Sequence, residues 1–140
     1  MAFPGGRTSP TDADSVATAI RETKEELDID LSGTQVLGRL SDLEGGPRET
    51  RQRLRVTPHL FWVPGERPLI TPNHEVATAL WIPVEQLVDE ERYIEYPYPR
   101  LGSDLWPGIV IDGERVIWGL TLRMLVDLFS RLGRPLSIRS

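Results

Sequence analysis

The sequence predicts a fold of the α/β (α+β) class. Three observations lead there. Val16, Ile20, Thr23 and Leu27 keep helical spacing in a helix that runs to about Leu27, residues 34–40 and 51–63 read as strands, and a second helical stripe from Ile117 to Leu132 closes the chain. A length of 140 residues is enough for one domain with a real core and not for two, so 1–140 reads as a single domain.

The elements follow in order. Phe3 and Pro4 look like a strand end entering a Gly5-Gly6 turn. Residues 9–14 are polar and turn-like, and Asp12 or Asp14 is placed to cap the helix that follows. In that helix Val16, Ile20, Thr23 and Leu27 share one stripe and form the expected buried face. Residues 34–40 make a strand with Gly38 inside it, and residues 41–50 a loop rich in glycine and charge. Residues 51–63 read as one strand, exposed at its start and buried at its end, with Pro58 marking an edge or bulge. A proline-broken loop spans 64–73, a strand 77–83, and a short helix starts at Pro83. Residues 89–107 carry Tyr93, Tyr96, Tyr98 and Trp106 among prolines and read as irregular, either a pocket wall or a loop over the core. Asp112-Gly113 turns a hairpin over 109–116. Ile117, Leu120, Thr121, Met124, Leu128 and Leu132 form the core stripe of the closing helix, and the basic tail from Gly133 reads as frayed.

The chemistry-bearing pattern lies on the first helix. Glu22, Glu25 and Glu26 stand at i, i+3 and i+4 beside the apolar stripe, with Arg21 four residues before Glu25. Carboxylates ~4 Å apart at an effective dielectric of ~20 cost about 4 kcal/mol per pair. A hard divalent cation removes that repulsion, and carboxylate oxygens are the ligands Mg²⁺ prefers. Arg21–Glu25 and Lys24–Asp28 are also ordinary i, i+4 pairs, so a plain solvated face is the competing reading of the helix alone.

The glycine turn changes the weighing. Gly6 followed by Arg21-Glu22-Thr23-Lys24-Glu25-Glu26 resembles the Nudix box, and FPGG with TAIRET resembles the coenzyme A diphosphatase branch. The sequence departs from the general pattern in having Asp12 for Glu and one extra residue before Arg21. It also has Thr23 at an apolar position and Asp28 for the closing glycine. Asp-x-Asp at 12–14 and Thr23 are themselves similar to that branch, as is Trp118-Gly119-Leu120-Thr121. Asp28 is then expected in the left-handed region that glycine usually takes at a helix end.

The resemblance implies a Nudix-like α/β/α sandwich with a mixed β-sheet, N-terminally shortened because strands precede FPGG in the family. Met1 reads either as an internal methionine of a longer parent or as the start of a shortened form. Unpaired sheet edges would follow, and with them pairing, as in a homodimer, or low solubility. The implied activity is metal-dependent hydrolysis of a nucleoside diphosphate derivative, coenzyme A or an acyl-CoA first, giving 3′,5′-ADP and phosphopantetheine. ADP-ribose or a dinucleotide is the alternative substrate, and an inactive nucleotide- or partner-binding fold the alternative class. By resemblance, Glu22, Glu25, Glu26 and the Gly5 carbonyl hold Mg²⁺ or Mn²⁺. Arg21 orients a carboxylate, Glu22 or secondly Glu25 is the general base, and Gly5 and Gly6 admit the diphosphate. Glu75, in His74-Glu75-Val76, approaches the same site by resemblance, or is a surface residue ahead of a strand.

Composition sets the remaining limits. A formal net charge of −5 argues against a nucleic-acid backbone as main partner. The absence of cysteine excludes disulfides and thiolate chemistry. No apolar run approaches the ~18 residues needed to span a bilayer, and the N-terminus lacks a signal-peptide pattern. A cytoplasmic location is the resulting expectation; the small-nucleotide substrate is what the resemblance implies. His59 and His74, the two histidines, have no local Ser/Asp pattern that would make a catalytic triad.

Overall fold

The computed structural model describes residues 1–45, 54–98 and 104–138. The expected glycine- and charge-rich loop and the start of the strand over 51–63 fall partly outside these residues. The chain divides into two compact units. One comprises Phe3–Glu44 and Arg55–Trp81; the other comprises Met1–Ala2, Gly45–Leu54 and Ile82–Ser140.

In the first unit, helix α1 spans Ser15–Leu27. Asp14 is its cap: a side-chain oxygen accepts the Ala17 N–H at 2.8 Å. That satisfies one of the amides a helix start leaves without an intrahelical partner. Asp28 ends the helix at φ 59°, ψ 25°, its N–H donating to the Lys24 carbonyl, in the left-handed position expected of it. The fully buried side chains of α1 are Thr18 and Thr23. Val16, Ile20 and Leu27, expected on the buried face, are only half-buried. Strand β1 (Gln35–Arg39) pairs antiparallel with β4 (His59–Trp62), with a register break between Val36 and Gly38. Ile29, Leu31, Leu40 and Leu43 are the buried apolar residues here.

The single strand read over 51–63 is two. Strand β3 (Leu54–Val56) pairs with β2 (Leu43–Gly45), while β4 pairs with β1. The break comes at Thr57-Pro58, where proline has no N–H to continue a ladder and its carbonyl instead accepts the Leu40 N–H at 3.0 Å. The end of the run is not buried, since Trp62 is 58% exposed. Residues 77–83 form no strand. Their alternating pattern suits a half-buried surface, but a strand exists only by pairing, and no described strand runs beside them. Trp81 is instead tied by its indole N–H to the Pro68 carbonyl.

In the second unit, α2 (Val84–Leu87) starts after Pro83 as expected, and a 3₁₀ turn follows at Glu90–Arg92. Residues 93–97, read as irregular, form strand β5 (Tyr93–Pro97). It pairs antiparallel with β6 (Leu105–Val110), which pairs antiparallel with β7 (Val116–Trp118). Pro97 is tolerated because β5 is an edge strand. Pro107 falls where β6 has β5 alone as neighbour, since β7 pairs only with Gly108, Ile109 and Val110. The expected hairpin is present. Asp112 organises its turn by accepting the Glu114 and Arg115 N–H groups and pairing with the Arg115 guanidinium.

Helix α3 spans Gly119–Arg131 and packs on β6 and β7. Gly119, at φ 63°, makes the abrupt change from strand to helix that an L side chain would oppose. Its buried positions are Thr121, Leu122, Leu125 and Phe129. The buried face is thus rotated from the expected stripe, sharing Thr121 with it; Leu132 is 64% exposed. Ile109, wholly buried, and Ile117 complete this core with Leu87 and Ile111. The tail is not frayed throughout. Ser137 and Ile138 line a concavity of about 490 Å³ with Tyr93, Ile94, Leu105 and Trp106. The aromatics of the 89–107 segment gather rather than scatter. Tyr98 lies 4.3 Å and Tyr96 5.7 Å, centroid to centroid, from Trp118.

Candidate active site

Every residue proposed for the chemistry lies in the first unit, on three stretches: the Gly5-Gly6 turn, α1, and the loop at 71–75. The turn is drawn onto the helix from both glycines. The Gly5 N–H donates to Glu26 Oε2 at 3.1 Å. Gly6 lies against the Glu22 carboxylate so closely that a Cβ there would fall 2.2 Å from Oε1. Glu22 and Glu26 thus both face the glycine pair.

Arg21 is the hub of the site. Its Nη1 donates to Glu22 Oε1 at 2.9 Å and to Glu25 Oε2 at 3.0 Å. Its Nε and Nη2 form a fork on Asp12, at 2.9 and 3.0 Å, and Nη2 also reaches the Arg7 carbonyl at 3.0 Å. Five donors in a plane make this possible for arginine alone. Asp12 is 5% exposed and also accepts from the Ser9 N–H and the Thr18 hydroxyl. The Arg21 hydrogen bonds, helped by the Ser9 N–H, hold its carboxyl well below the usual carboxylate range. Bonding to Asp12, then Glu22, raises the guanidinium still further.

The crowding inferred from spacing is relieved in a specific way. Glu25 is 56% exposed and turned to Arg21, and Glu26 is turned to Gly5. Among the described residues no three acidic or histidine side chains stand close enough together to hold an ion. Arg21 and the Gly5 amide supply the offsetting donors. The two ordinary i, i+4 pairs also form, Lys24–Asp28 at 2.5 Å among them. They account for Lys24, Asp28 and part of Glu25, and leave the orientation of Glu22 and Glu26 unexplained.

Glu75 reaches this neighbourhood through the backbone. The Asn73 N–H donates to the Glu26 carbonyl and the Thr71 N–H to the Leu27 carbonyl, both at 2.9 Å, using acceptors the end of α1 leaves free. Asn73 Oδ1 then accepts the Glu75 N–H, while the Glu75 side chain is exposed beside His74. His59 bonds Ser15 at the start of α1 and is in contact with none of the carboxylates through any described hydrogen bond.

Two participants were not assigned a site role from sequence. Asp12 was noted only as the acidic position of the motif and a candidate cap; it is the anchor of Arg21. Thr18 entered only as the first residue of the TAIRET run, with no role of its own. Its signal was present, because it stands three residues before Arg21 on the same helix.

A family model for the NUDIX domain matches residues 1–101. The chain belongs to the Nudix family. It is also similar to a protein named uncharacterized Nudix hydrolase NudL in Yersinia pestis (strain Pestoides F). The two are 32% identical over 128 residues, covering 91% of this chain and 62% of that protein. The NudL protein of Yersinia pseudotuberculosis serotype O:1b (strain IP 31758) matches to the same extent. The chain spans 62% of the length of these curated relatives. Its mixed helices and small antiparallel sheets agree with an α+β Nudix-like fold. No helix among the described residues is long and apolar enough to cross a membrane.

Proposed function

We propose that this Nudix chain hydrolyses the phosphoanhydride of a nucleoside diphosphate derivative, with coenzyme A or an acyl-CoA as the preferred substrate. The observation that carries the reading is the seating of Glu22 and Glu26 on the Gly5-Gly6 turn. The residues fit a hard divalent cation in two respects. The donor set is carboxylate oxygen, and Glu22 can lie against the backbone of the turn only because Gly6 has no side chain. Glu22, Glu25, Glu26 and the Gly5 carbonyl would hold Mg²⁺ or Mn²⁺. The metal would neutralise the diphosphate oxygens and make a nearby water more acidic.

The remaining roles belong to the chain itself. Glu22 accepts the proton of the attacking water, and Glu25 is the second candidate. Arg21 fixes both carboxylates through one nitrogen and anchors itself on Asp12. Gly5 and Gly6 let the diphosphate approach the backbone. Glu75, whose backbone is tethered near the end of α1 through Asn73, is the further carboxylate offered to the substrate. The coenzyme A preference is supported by FPGG, TAIRET, the buried Thr23 and the Trp118-Gly119-Leu120-Thr121 run. The chain acts as one domain on a small nucleotide, in the cytoplasm.

A screen of coenzyme A, acetyl-CoA, ADP-ribose and a dinucleoside polyphosphate with Mg²⁺ and with Mn²⁺ tests the substrate. Release of 3′,5′-ADP from coenzyme A ahead of the others supports the proposal. Faster cleavage of ADP-ribose or the dinucleotide transfers the same site to that substrate. Nucleotide binding without cleavage of any compound would make the chain a binding module.

A further inference from the structure

A buried polar side chain stands behind the site with no described hydrogen bond from its hydroxyl to any of the groups assigned to the chemistry. Thr18 is 6% exposed, and its hydroxyl lies 2.9 Å from Asp12 Oδ2, 3.2 Å from the Asp14 carbonyl and 3.3 Å from Thr8 Oγ1. A threonine hydroxyl has one proton to give. The shortest of the three contacts is to a carboxylate, and a charge-assisted bond is the stronger, so the proton goes to Asp12. Thr8 is left to donate toward Thr18.

Asp12 then has a defined set of partners. Oδ1 accepts Arg21 Nε, and Oδ2 accepts Arg21 Nη2, the Ser9 N–H and the Thr18 hydroxyl. Arg21 Nη1, the one guanidinium nitrogen not turned toward Asp12, holds Glu22 and Glu25. The rotation of the Asp12 carboxylate therefore sets the plane of the guanidinium. That plane sets where Nη1 meets the two glutamates.

We infer that Thr18 is a positioning residue for the proposed reaction: its hydroxyl, acting through Asp12 and Arg21, holds Glu22 and Glu25 where they bind the divalent cation. The inference rests on the functional reading above. A hydrogen bond behind the ligands commonly controls metal affinity 10- to 100-fold, and one this far removed is expected at the lower end, roughly 10-fold.

The test compares four folded forms of the 140-residue chain: wild type, Thr18→Val, Thr18→Ser and Thr18→Ala. Mn²⁺ affinity is measured by electron paramagnetic resonance without substrate, and kcat and KM are measured on coenzyme A. Thr18→Val keeps the volume and removes the hydroxyl. Its Mn²⁺ affinity is expected to fall about 10-fold, and kcat with it, while KM for coenzyme A stays near wild type. Thr18→Ser keeps the hydroxyl and is expected to bind Mn²⁺ as wild type does. If Thr18→Val fails to fold, the Ser and Ala variants decide, since both lose the methyl and only Ser retains the oxygen. Equal Mn²⁺ affinity in Ser and Ala, or in Val and wild type, overturns the inference while leaving the functional reading in place. A wild-type chain that binds no Mn²⁺ overturns both.

Discussion

A methyl group on Gly6 would fall 2.2 Å from Oε1 of Glu22 and 2.3 Å from its carboxyl carbon. The obstructing atoms are the far end of a flexible side chain, so the fold can yield where the site cannot. Gly6→Ala is expected to melt within a degree or two of wild type, a change of about 0.5 kcal/mol or less. Its diphosphate hydrolysis should fall at least about 10-fold, since displacement of a catalytic group by about 1 Å has large effects. Thermal melts read beside metal-dependent turnover check this. Full activity in Gly6→Ala would show that Glu22 need not occupy this space.

Arg21→Lys tests the fork. Lysine is a point charge with three donors on one nitrogen, and it cannot grip Asp12 in two places while holding Glu22 and Glu25. The expected outcome is a folded protein with kcat reduced about 10-fold or more and a weaker Mn²⁺ affinity. Steady-state kinetics with a parallel Mn²⁺ titration measures both.

The acid side of the stability profile follows from carboxylates held below their ordinary range. Asp12 is lowered chiefly by Arg21, and Asp112 chiefly by the Glu114 N–H and then by Arg115. A depressed folded-state value means the stabilisation is present above the unfolded value, about 3.9, and is lost as pH falls below it. Melting temperatures should therefore be flat from pH 7 to about 5 and decline below about 4. In Asp12→Asn and Asp112→Asn the melting temperature is expected to be lower at pH 7 and the acid decline shallower. Thermal scans between pH 3 and 7 check the sign.

In the second unit the core is held at β6. Ile109 is wholly buried, and Ile109→Ala should cost about 2–5 kcal/mol. A Cβ on Gly108 would meet Val116 Cγ1 at 2.7 Å, so Gly108→Ala should cost about 1–3 kcal/mol through overpacking. Urea unfolding of both variants, followed by far-UV circular dichroism, gives the numbers.

What could be read from the chain beforehand was what local chemistry decides. A cap at Asp12 or Asp14, of which Asp14 serves, Asp28 in the left-handed position, Pro83 before a short helix and Asp112 in the hairpin turn all depend on a few neighbouring atoms. What could not be read depends on partners distant in sequence. Residues 77–83 have a strand's pattern without a described neighbour to pair with, whereas Tyr93–Pro97 found one despite its proline. Helix α3 is apolar over much of its circumference, so spacing alone did not separate Leu122, Leu125 and Phe129 from Leu120, Met124 and Leu128. At the site, the glutamates and Arg21 were visible as a motif. The burial of Thr18 has its reason in Asp12, which only the folded loop brings to it.

Glu22 and Glu26, seated on the glycine pair, are the residues proposed to hold the metal that hydrolysis requires. The most direct measurement is release of 3′,5′-ADP from coenzyme A, with and without Mn²⁺, by wild type, Glu22→Gln and Glu26→Gln at matched melting temperature. Turnover by wild type is expected only with metal, with a fall of at least about 100-fold in each variant. Variants that remain folded and release product at the wild-type, metal-dependent rate would contradict it.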